Sequence, residues 1–441
     1  MLEPIFIGYL GIVVLMILLI FGLHIGVALG LVGMLGTGFL VGWDGAFSMA
    51  ANSFFFKIQS YELLTVPLFV LMGFVSAGGG VSKDIYDGLG LWLRRLRGGL
   101  GIATTISCTA FGAISGSSLV TAVVFTKIAA PEMRKHGYDK RLTYGICSAS
   151  AIIGMLIPPS ILMVVYGALS GESIGKLLIA GIVPGLMCFF LFSIVIVLTG
   201  WIKPSKIQKV KNVERIPLGM LLRSLAKFWQ VVVIAAVIFG GIFGGIFTPT
   251  EAAAISSVVI IVLVLITKPK QSKEILKEGF TDTAGTSGMI FLILGSATIF
   301  SHFLALSGIT QGITQYIVGL NLSKFQLLWA LIIFYGALGC FMDSISILCI
   351  TIPLLNPIIH IAGIDHIYYA VLVIMALEAG LLTPPVGLNV YGSFAVAEKD
   401  VSLEDIFMGV IPFLISVIII IAILMYIPVL ATFLPVLMLG T

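Results

Sequence analysis

Gly154-Met155-Leu156-Ile157-Pro158-Pro159-Ser160 and Gly380-Leu381-Leu382-Thr383-Pro384-Pro385-Val386 stand 226 residues apart and share a glycine and a double proline in the same register. Each lies inside a long apolar run. Proline lacks a backbone donor and disfavours helix in the residue before it, so both helices are expected to unwind midway. One such pair merely kinks many membrane helices. Two pairs at matching positions point instead to discontinuous helices whose loosened backbone serves a site.

The same offset aligns Ser118 with Ser344, Pro131 with Pro357, Gly137 with Gly363 and Asp139 with Asp365, without a gap. The chain therefore reads as a weak tandem duplication. The loop 131–141 carries Arg134, Lys135, Lys140 and Arg141, whereas its counterpart 357–367 carries only His360 and His366. Basic loops stay on the cytoplasmic side, so the two copies are expected to be inverted with respect to the membrane. Inverted repeats joined by broken helices are a secondary-transporter architecture, with the substrate held near mid-membrane.

Composition agrees with this reading. The 441 residues are 59% hydrophobic and 10% charged, with a mean hydropathy of +1.18; soluble domains carry roughly a quarter charged residues, which excludes a soluble fold. No alternating ten-residue pattern of an outer-membrane barrel occurs. Apolar runs place ten crossings near 5–22, 25–41, 62–79, 143–170, 176–200, 228–247, 250–267, 280–300, 367–397 and 405–430. Segments 100–131 and 325–356 are interrupted by Ser115 to Ser118 and by Gly339 to Ser346, leaving halves too short to span, and read as re-entrant hairpins. The fold class expected is an all-α polytopic membrane protein, about ten transmembrane helices plus two hairpins in a five-plus-five inverted repeat.

The positive-inside rule supports the hairpins. Eighteen of the 24 bases fall in four loops, at Arg94 to Arg97, Arg134 to Arg141, Lys203 to Lys227 and Lys268 to Lys277. All four are cytoplasmic only if segment 100–131 enters and leaves on the same face, and both termini are then periplasmic. The formal charge of +4 gives no reason to expect nucleic acid as a partner. Five cysteines in apolar stretches, without CxxC spacing, read as buried side chains and not as a metal or redox site. The run 5–21 has neither a basic leader before it nor an A-x-A site after it, and is expected to be a retained helix.

Loosened carbonyls suit a sodium ion, and half-helix N-termini suit a carboxylate. The sodium-binding candidates are Ser115, Gly116, Ser117 and Ser118 in the first hairpin, Pro158 at the first break, Gly339, Asp343 and Ser344 in the second hairpin, and Thr383 and Pro384 at the second break. Substrate-binding candidates are Thr121, Pro159, Ser160, Ser346, Pro385 and Asn389. Asp343 stands out, because a carboxylate within a span is costly and its expected partner is a sodium ion or proton. Glu378 is either a second such group or a structural acid bonding hairpin backbone, since its repeat mate is Ile152. Asn389 either bonds substrate or fixes the break. Lys127 is expected to snorkel to the interface, Glu251 to cap a helix start, and the stretches 44–61, with Lys57, and 84–97, with Trp92, to form interfacial amphipathic helices. No catalytic cluster, P-loop or metal-ligand spacing appears, which argues against an enzyme or an ATP-driven pump.

Several motifs carry a family likeness: Gly112-Ala113-Ile114-Ser115-Gly116-Ser117; Pro131-Glu132-Met133 followed by Gly137-Tyr138-Asp139; Gly154 through Ser160 with Tyr166-Gly167; Ser173-Ile174-Gly175-Lys176-Leu177; Pro184-Gly185; Thr248-Pro249-Thr250-Glu251-Ala252; Gly363-Ile364-Asp365; and Glu378 through Asn389. End to end, the chain resembles the large membrane subunit (DctM or SiaM type) of tripartite ATP-independent periplasmic (TRAP) transporters. The resemblance implies a multi-pass inner-membrane subunit for sodium-coupled import of a small organic acid anion by an elevator motion, with no cofactor besides the coupling ion. It implies two separate partners, a small four-helix DctQ-type membrane subunit and a periplasmic DctP-type substrate-binding protein. It also implies a mobile transport domain of hairpins and broken helices, 100–170 and 301–397, against a scaffold of 1–99, 171–300 and a C-terminal helix in 398–441.

Three other readings compete. A standalone sodium- or proton-coupled dicarboxylate/citrate symporter of the related elevator class would share the repeats and breaks. An intramembrane lipid enzyme would need convergent acid and base groups, for which Asp343 and Glu378 are the strong candidates. A purely structural subunit leaves the paired breaks unexplained.

Overall fold

The computed structural model describes residues 3–93, 95–207, 217, 219, 224 and 228–439, and among these the secondary structure is helical throughout, with one isolated bridge between Tyr138 and Ile207. The basic residues Arg94, Lys209, Lys211, Arg215, Arg223 and Lys227 lie outside the described residues.

A first group of helices comprises α1 (Pro4–Ile20), α2 (Ile25–Val41), α3 (Trp43–Ile58), α4 (Thr65–Gly79) and α5 (Val81–Leu93). The stretches 44–61 and 84–97 expected from sequence are helical over α3 and α5. The first hairpin is α6 (Gly99–Ser115) and α7 (Ser118–Lys135). The first broken helix follows as α8 (Lys140–Ser150), a 3-10 turn Ala151–Met155, the proline pair and α9 (Ile161–Ser170). Next come α10 (Ile174–Ala180), α11 (Ile182–Ile202), α12 (Trp229–Ala235, running on through a π-helical turn to Phe243), α13 (Pro249–Thr267), α14 (Ser272–Leu306) and α15 (Ile309–Gly319). The second hairpin is α16 (Lys324–Gly339) and α17 (Ser344–Ile361), and the second broken helix is α18 (His366–Gly380) and α19 (Leu388–Ala395). Helices α20 (Leu403–Tyr426) and α21 (Val429–Leu439) close the chain.

Six helices are long and apolar enough to cross a membrane, and eight shorter apolar ones accompany them among the described residues. One expectation needs correcting here. The half-hairpin Ser344–Ile361, with 18 residues, is long enough to span by length and composition, so length does not mark the re-entrant segments. Closure at the base does. The Gly101 amide donates to the Tyr138 hydroxyl at 3.4 Å, and Lys324 Nζ donates to the Gly363 carbonyl at 2.9 Å, so each hairpin returns to the end where it began.

Those two bases sit at opposite ends of the bundle, and α20 measures the separation. At its start, Asp405 pairs with Lys140 at 2.6 Å and Arg141 at 2.9 Å, beside the first hairpin's base. At its end, the Tyr426 ring lies 5.1 Å from that of Phe325, beside the second. A 24-residue helix between them spans about 36 Å at 1.5 Å per residue. The repeats are inverted.

Small residues set the close packing, as they do where lipid supplies no hydrophobic drive between helices. On α2, a Cβ at Gly33 would sit 2.8 Å from the Phe300 backbone of α14, and one at Gly26 3.2 Å from that of Ile293. Helices α2, α4, α13 and α14 form one packed group. The crossing expected at 280–300 is the middle of the 35-residue α14, whose first turns carry Lys273, Glu274, Lys277 and Glu278 and so begin outside the apolar zone. The run 176–200 is divided at Gly181, while α15 and α21 form elements of their own that the apolar runs did not separate.

Candidate ion and substrate site

Both hairpins interlock with both broken helices, in a repeated pattern. The first half of each hairpin meets its own repeat's helix just before the break, glycine on glycine: a Cβ on Gly154 would lie 2.4 Å from Gly112 Cα, and one on Gly380 2.6 Å from Gly339 Cα. The second half crosses over, α7 packing on α19 and α17 on α9. Ser148 adds a direct link between repeats by donating to Ser393 at 2.8 Å, with both side chains buried.

The first tip is built from hydroxyls. Gly116 turns the chain at φ +64, a conformation that favours glycine, and lies directly against the Ile161 side chain. Ser117 caps α7 by accepting from the Val120 amide at 3.3 Å. Its carbonyl accepts from Thr121 Oγ1 at 2.8 Å, and Thr121 lies 3.0 Å from Ser115 Oγ. Ser115, Gly116, Ser117 and Thr121 thus form one oxygen-rich cluster suited to a hard cation.

At the second tip Asp343 occupies the position equivalent to Ser117. It caps α17, accepting from the Ser346 amide at 3.0 Å and from the Ser346 hydroxyl. Asp343 is exposed while Ser346 is buried, so the carboxylate faces open space at the tip and does not sit enclosed in a span. The neighbouring Cys340 carbonyl accepts from the Gly387 amide at 3.2 Å, docking the tip onto the second break just beyond Pro385.

Glu378 joins the tips. It is 2% exposed, accepts from the Ser344 hydroxyl at 3.2 Å, and has Ser118 within reach of the same carboxyl group. The residue the sequence left between two roles therefore bonds the serine at the start of a half-hairpin. Its Oε2 has no hydrogen-bond partner among the described residues.

The two breaks differ. Pro158, Pro159 and Ser160 are buried; Ser160 donates to the Met155 carbonyl at 2.5 Å and accepts from the Met163 amide at 3.4 Å, so its hydroxyl stabilises the break itself. The proline pair there lines an almost wholly apolar cavity of about 390 Å³ against α11 and α12. At the second break, Pro384 and Pro385 are exposed and Thr383 donates to the Ala379 carbonyl at 2.8 Å. Asn389, in the first turn of α19, is fully buried, yet neither its Oδ1 nor its Nδ2 has a partner among the described residues. Both proline pairs are joined by cis peptide bonds.

The structure thus gathers Ser115, Gly116, Ser117 and Thr121 at one tip, Asp343 and Ser346 at the other, and Ser118 and Ser344 at Glu378. Ser160 and Thr383 are engaged with their own breaks. Sequence reasoning missed Gly387 as the amide that docks the second tip; the signal was its place directly after a Pro-Pro-Val. Among the described residues, no cluster of three or more His, Cys, Asp or Glu could hold a metal ion. The five cysteines are free and buried, and Glu251 forms the expected capping box with Thr248.

Comparison with known proteins places this geometry. The family model described as tripartite ATP-independent periplasmic transporter, DctM component, matches residues 12–430. The chain is 33% identical over 408 residues to the C4-dicarboxylate TRAP transporter large permease protein DctM of Pseudomonas aeruginosa, covering 92% of this chain and 93% of that one. It is 30% identical over 430 residues to the sialic acid TRAP transporter large permease protein SiaM of Vibrio cholerae, covering 94% and 99%. Among solved structures, the Alcanivorax borkumensis YdaH transporter has a similar fold, with a TM-score of 0.63 at 14% identity over 88% of each chain.

Proposed function

We propose that this chain, which belongs to the DctM component family of the tripartite ATP-independent periplasmic transporters, is the translocation subunit that carries a small organic acid anion into the cell in exchange for the energy of a sodium gradient. Membership makes it a multi-pass transporter permease of a three-part system for organic acids. The finer reading is inner-membrane location, with the Arg134 end cytoplasmic, a separate four-helix subunit, and a periplasmic binding protein that delivers substrate.

The observation that carries the reading is Asn389: a fully buried amide with two unpartnered atoms beside an exposed double-proline break. An orphaned buried polar group costs about 1–3 kcal/mol, which a bound ligand would offset. In this reading sodium is held by the oxygen clusters at Ser115 to Thr121 and at Asp343 to Ser346. Its charge, with the amide-rich start of α19, would attract the substrate carboxylate. The relatives named for C4-dicarboxylates and for sialic acid share the carboxylate and little else, so an anion-plus-cation pocket accommodates both.

The interlocked hairpins and breaks form a body without slack, and we assign the elevator displacement to it. We assign helix α20 to this body too, in place of the scaffold role expected for 398–441, because it packs backbone to backbone on α8, where a Cβ on Gly145 would meet the Gly409 carbonyl. Uptake into proteoliposomes holding the chain, its small subunit and its binding protein, with sodium and proton gradients imposed separately, tests the proposal. Uptake indifferent to sodium refutes the coupling.

A further inference from the structure

A cavity of about 520 Å³ opens between α3 and α14, and no hairpin-tip residue lines it. Its polar wall is Asn52, Ser53, Lys57, Thr298 and His302, and no acidic residue lines it. It lies at the end of the bundle opposite Arg134: Lys57 Nζ donates to the Ala168 carbonyl at 2.5 Å, in the last turns of α9, whose Tyr166 hydroxyl in turn donates to the His366 carbonyl at 3.3 Å.

Lys57 is half-buried and short of partners. An ammonium has three donors, and the Ala168 carbonyl takes one. The ion pairs among the described residues involve Arg134, His136, Lys140, Arg141 and Lys206, and none involves Lys57. Burial pulls its ammonium below the ordinary value, and the Glu62 carboxylate acts on it only at longer range. A half-buried cation without an ion-pair partner is unfavourable, and a cleft lined by one sign of charge concentrates ions of the other.

We infer that this cavity is a vestibule that binds the carboxylate of a small organic acid, with Lys57 as its cation and Asn52, Ser53 and Thr298 as hydrogen-bonding neighbours. The volume falls within the 300–1,000 Å³ usual for small-molecule sites. Because Lys57 also holds the end of α9, a carboxylate arriving here competes with the Ala168 carbonyl for the ammonium. The inference rests on the import reading for the identity of the anion, and on the cavity's own charge for everything else.

The test is charge-selective labelling of Asn52→Cys in the full chain, whose native thiols are buried, in nanodiscs of neutral lipid. Anionic and cationic methanethiosulfonates of similar size are compared, with Thr281→Cys as an exposed reference. The anionic reagent is expected to gain about tenfold at position 52 relative to the reference, Lys57→Arg to keep that preference and Lys57→Gln to erase it. Millimolar succinate or N-acetylneuraminate is expected to slow labelling. A preference that survives Lys57→Gln, or protection by neither acid, overturns the inference; protection by phosphatidylglycerol in place of the acids makes the cavity a lipid headgroup site and overturns it too. Labelling needs no gradient and no partner subunit, so a chain that fails in uptake can pass, and one that transports can fail here.

Discussion

The Ser344 hydroxyl donates to the Glu378 carboxylate at 3.2 Å, so one buried side chain clasps the second hairpin where its second half begins, with Ser118 of the first hairpin close to the same acid. Glu378→Ala removes the acceptor of the Ser344 hydroxyl and leaves a hole, so a loss of about 1–3 kcal/mol is expected, read as an earlier thermal transition in detergent. Glu378→Gln keeps an acceptor for Ser344 and should recover most of it. Parental stability in Glu378→Ala would show that the clasp carries no weight.

Asn389 should behave in the opposite way. Its amide atoms have no partners among the described residues, so Asn389→Leu removes orphaned polar groups at similar volume, which can be neutral or stabilising. Stability is expected to hold while uptake falls at least about tenfold, the loss of roughly 1.4 kcal/mol of ligand binding. Full uptake in Asn389→Leu would take this residue out of the site.

Asp343 has a structural duty and a proposed ionic one, and two substitutions separate them. As an N-cap accepting from Ser346, it should cost about 1 kcal/mol when replaced by Ala and little when replaced by Asn. As a sodium ligand, it should lose affinity in both. Sodium titration of uptake in Asp343→Asn is decisive: an unchanged half-saturation leaves only the cap.

Backbone contact at Gly154 predicts a sharp asymmetry among glycines. A Cβ there would lie 2.4 Å from Gly112 Cα, whereas one on Gly285 meets nothing within 4 Å. Gly154→Ala is expected to cost about 1–3 kcal/mol through overpacking, and Gly285→Ala to stabilise α14 by up to about 1 kcal/mol. Unfolding midpoints of the two variants measured side by side check this.

Inversion of the repeats is open to labelling in whole cells. Lys135→Cys and His360→Cys sit at exposed positions beside opposite hairpin bases. An impermeant thiol reagent should reach position 360 in intact cells and position 135 only after the membrane is opened. Equal labelling of both from outside would contradict the orientation drawn from the basic loops.

Much of this was legible in the sequence because it rests on backbone chemistry. Proline pairs unwind helices wherever they fall, and Gly116 or the glycine of Gly363-Ile364-Asp365 turns the chain by itself; hence the breaks, tips and inverted repeat could be read from spacing. What the sequence hid depends on partners distant in the chain. Nothing around Ser118 announces Glu378, nothing in α3 reveals that Lys57 meets Ala168, and a carboxylate such as Asp343 looks enclosed until the tip is seen to stand open. That α20 packs on α8 was equally hidden, because apolarity says that a segment crosses, and not which neighbour it crosses beside.

The crossover of α7 onto α19 has a consequence for biogenesis. The first hairpin is synthesised some 270 residues before the helix it rests on, counting from Ser118 to Leu388, which at 5–20 residues per second is on the order of 15–50 s. Throughout that interval the face that Leu119 and Val123 of α7 turn toward Gly392 has no mate, so the docking of the two repeats on each other is completed only near the end of synthesis.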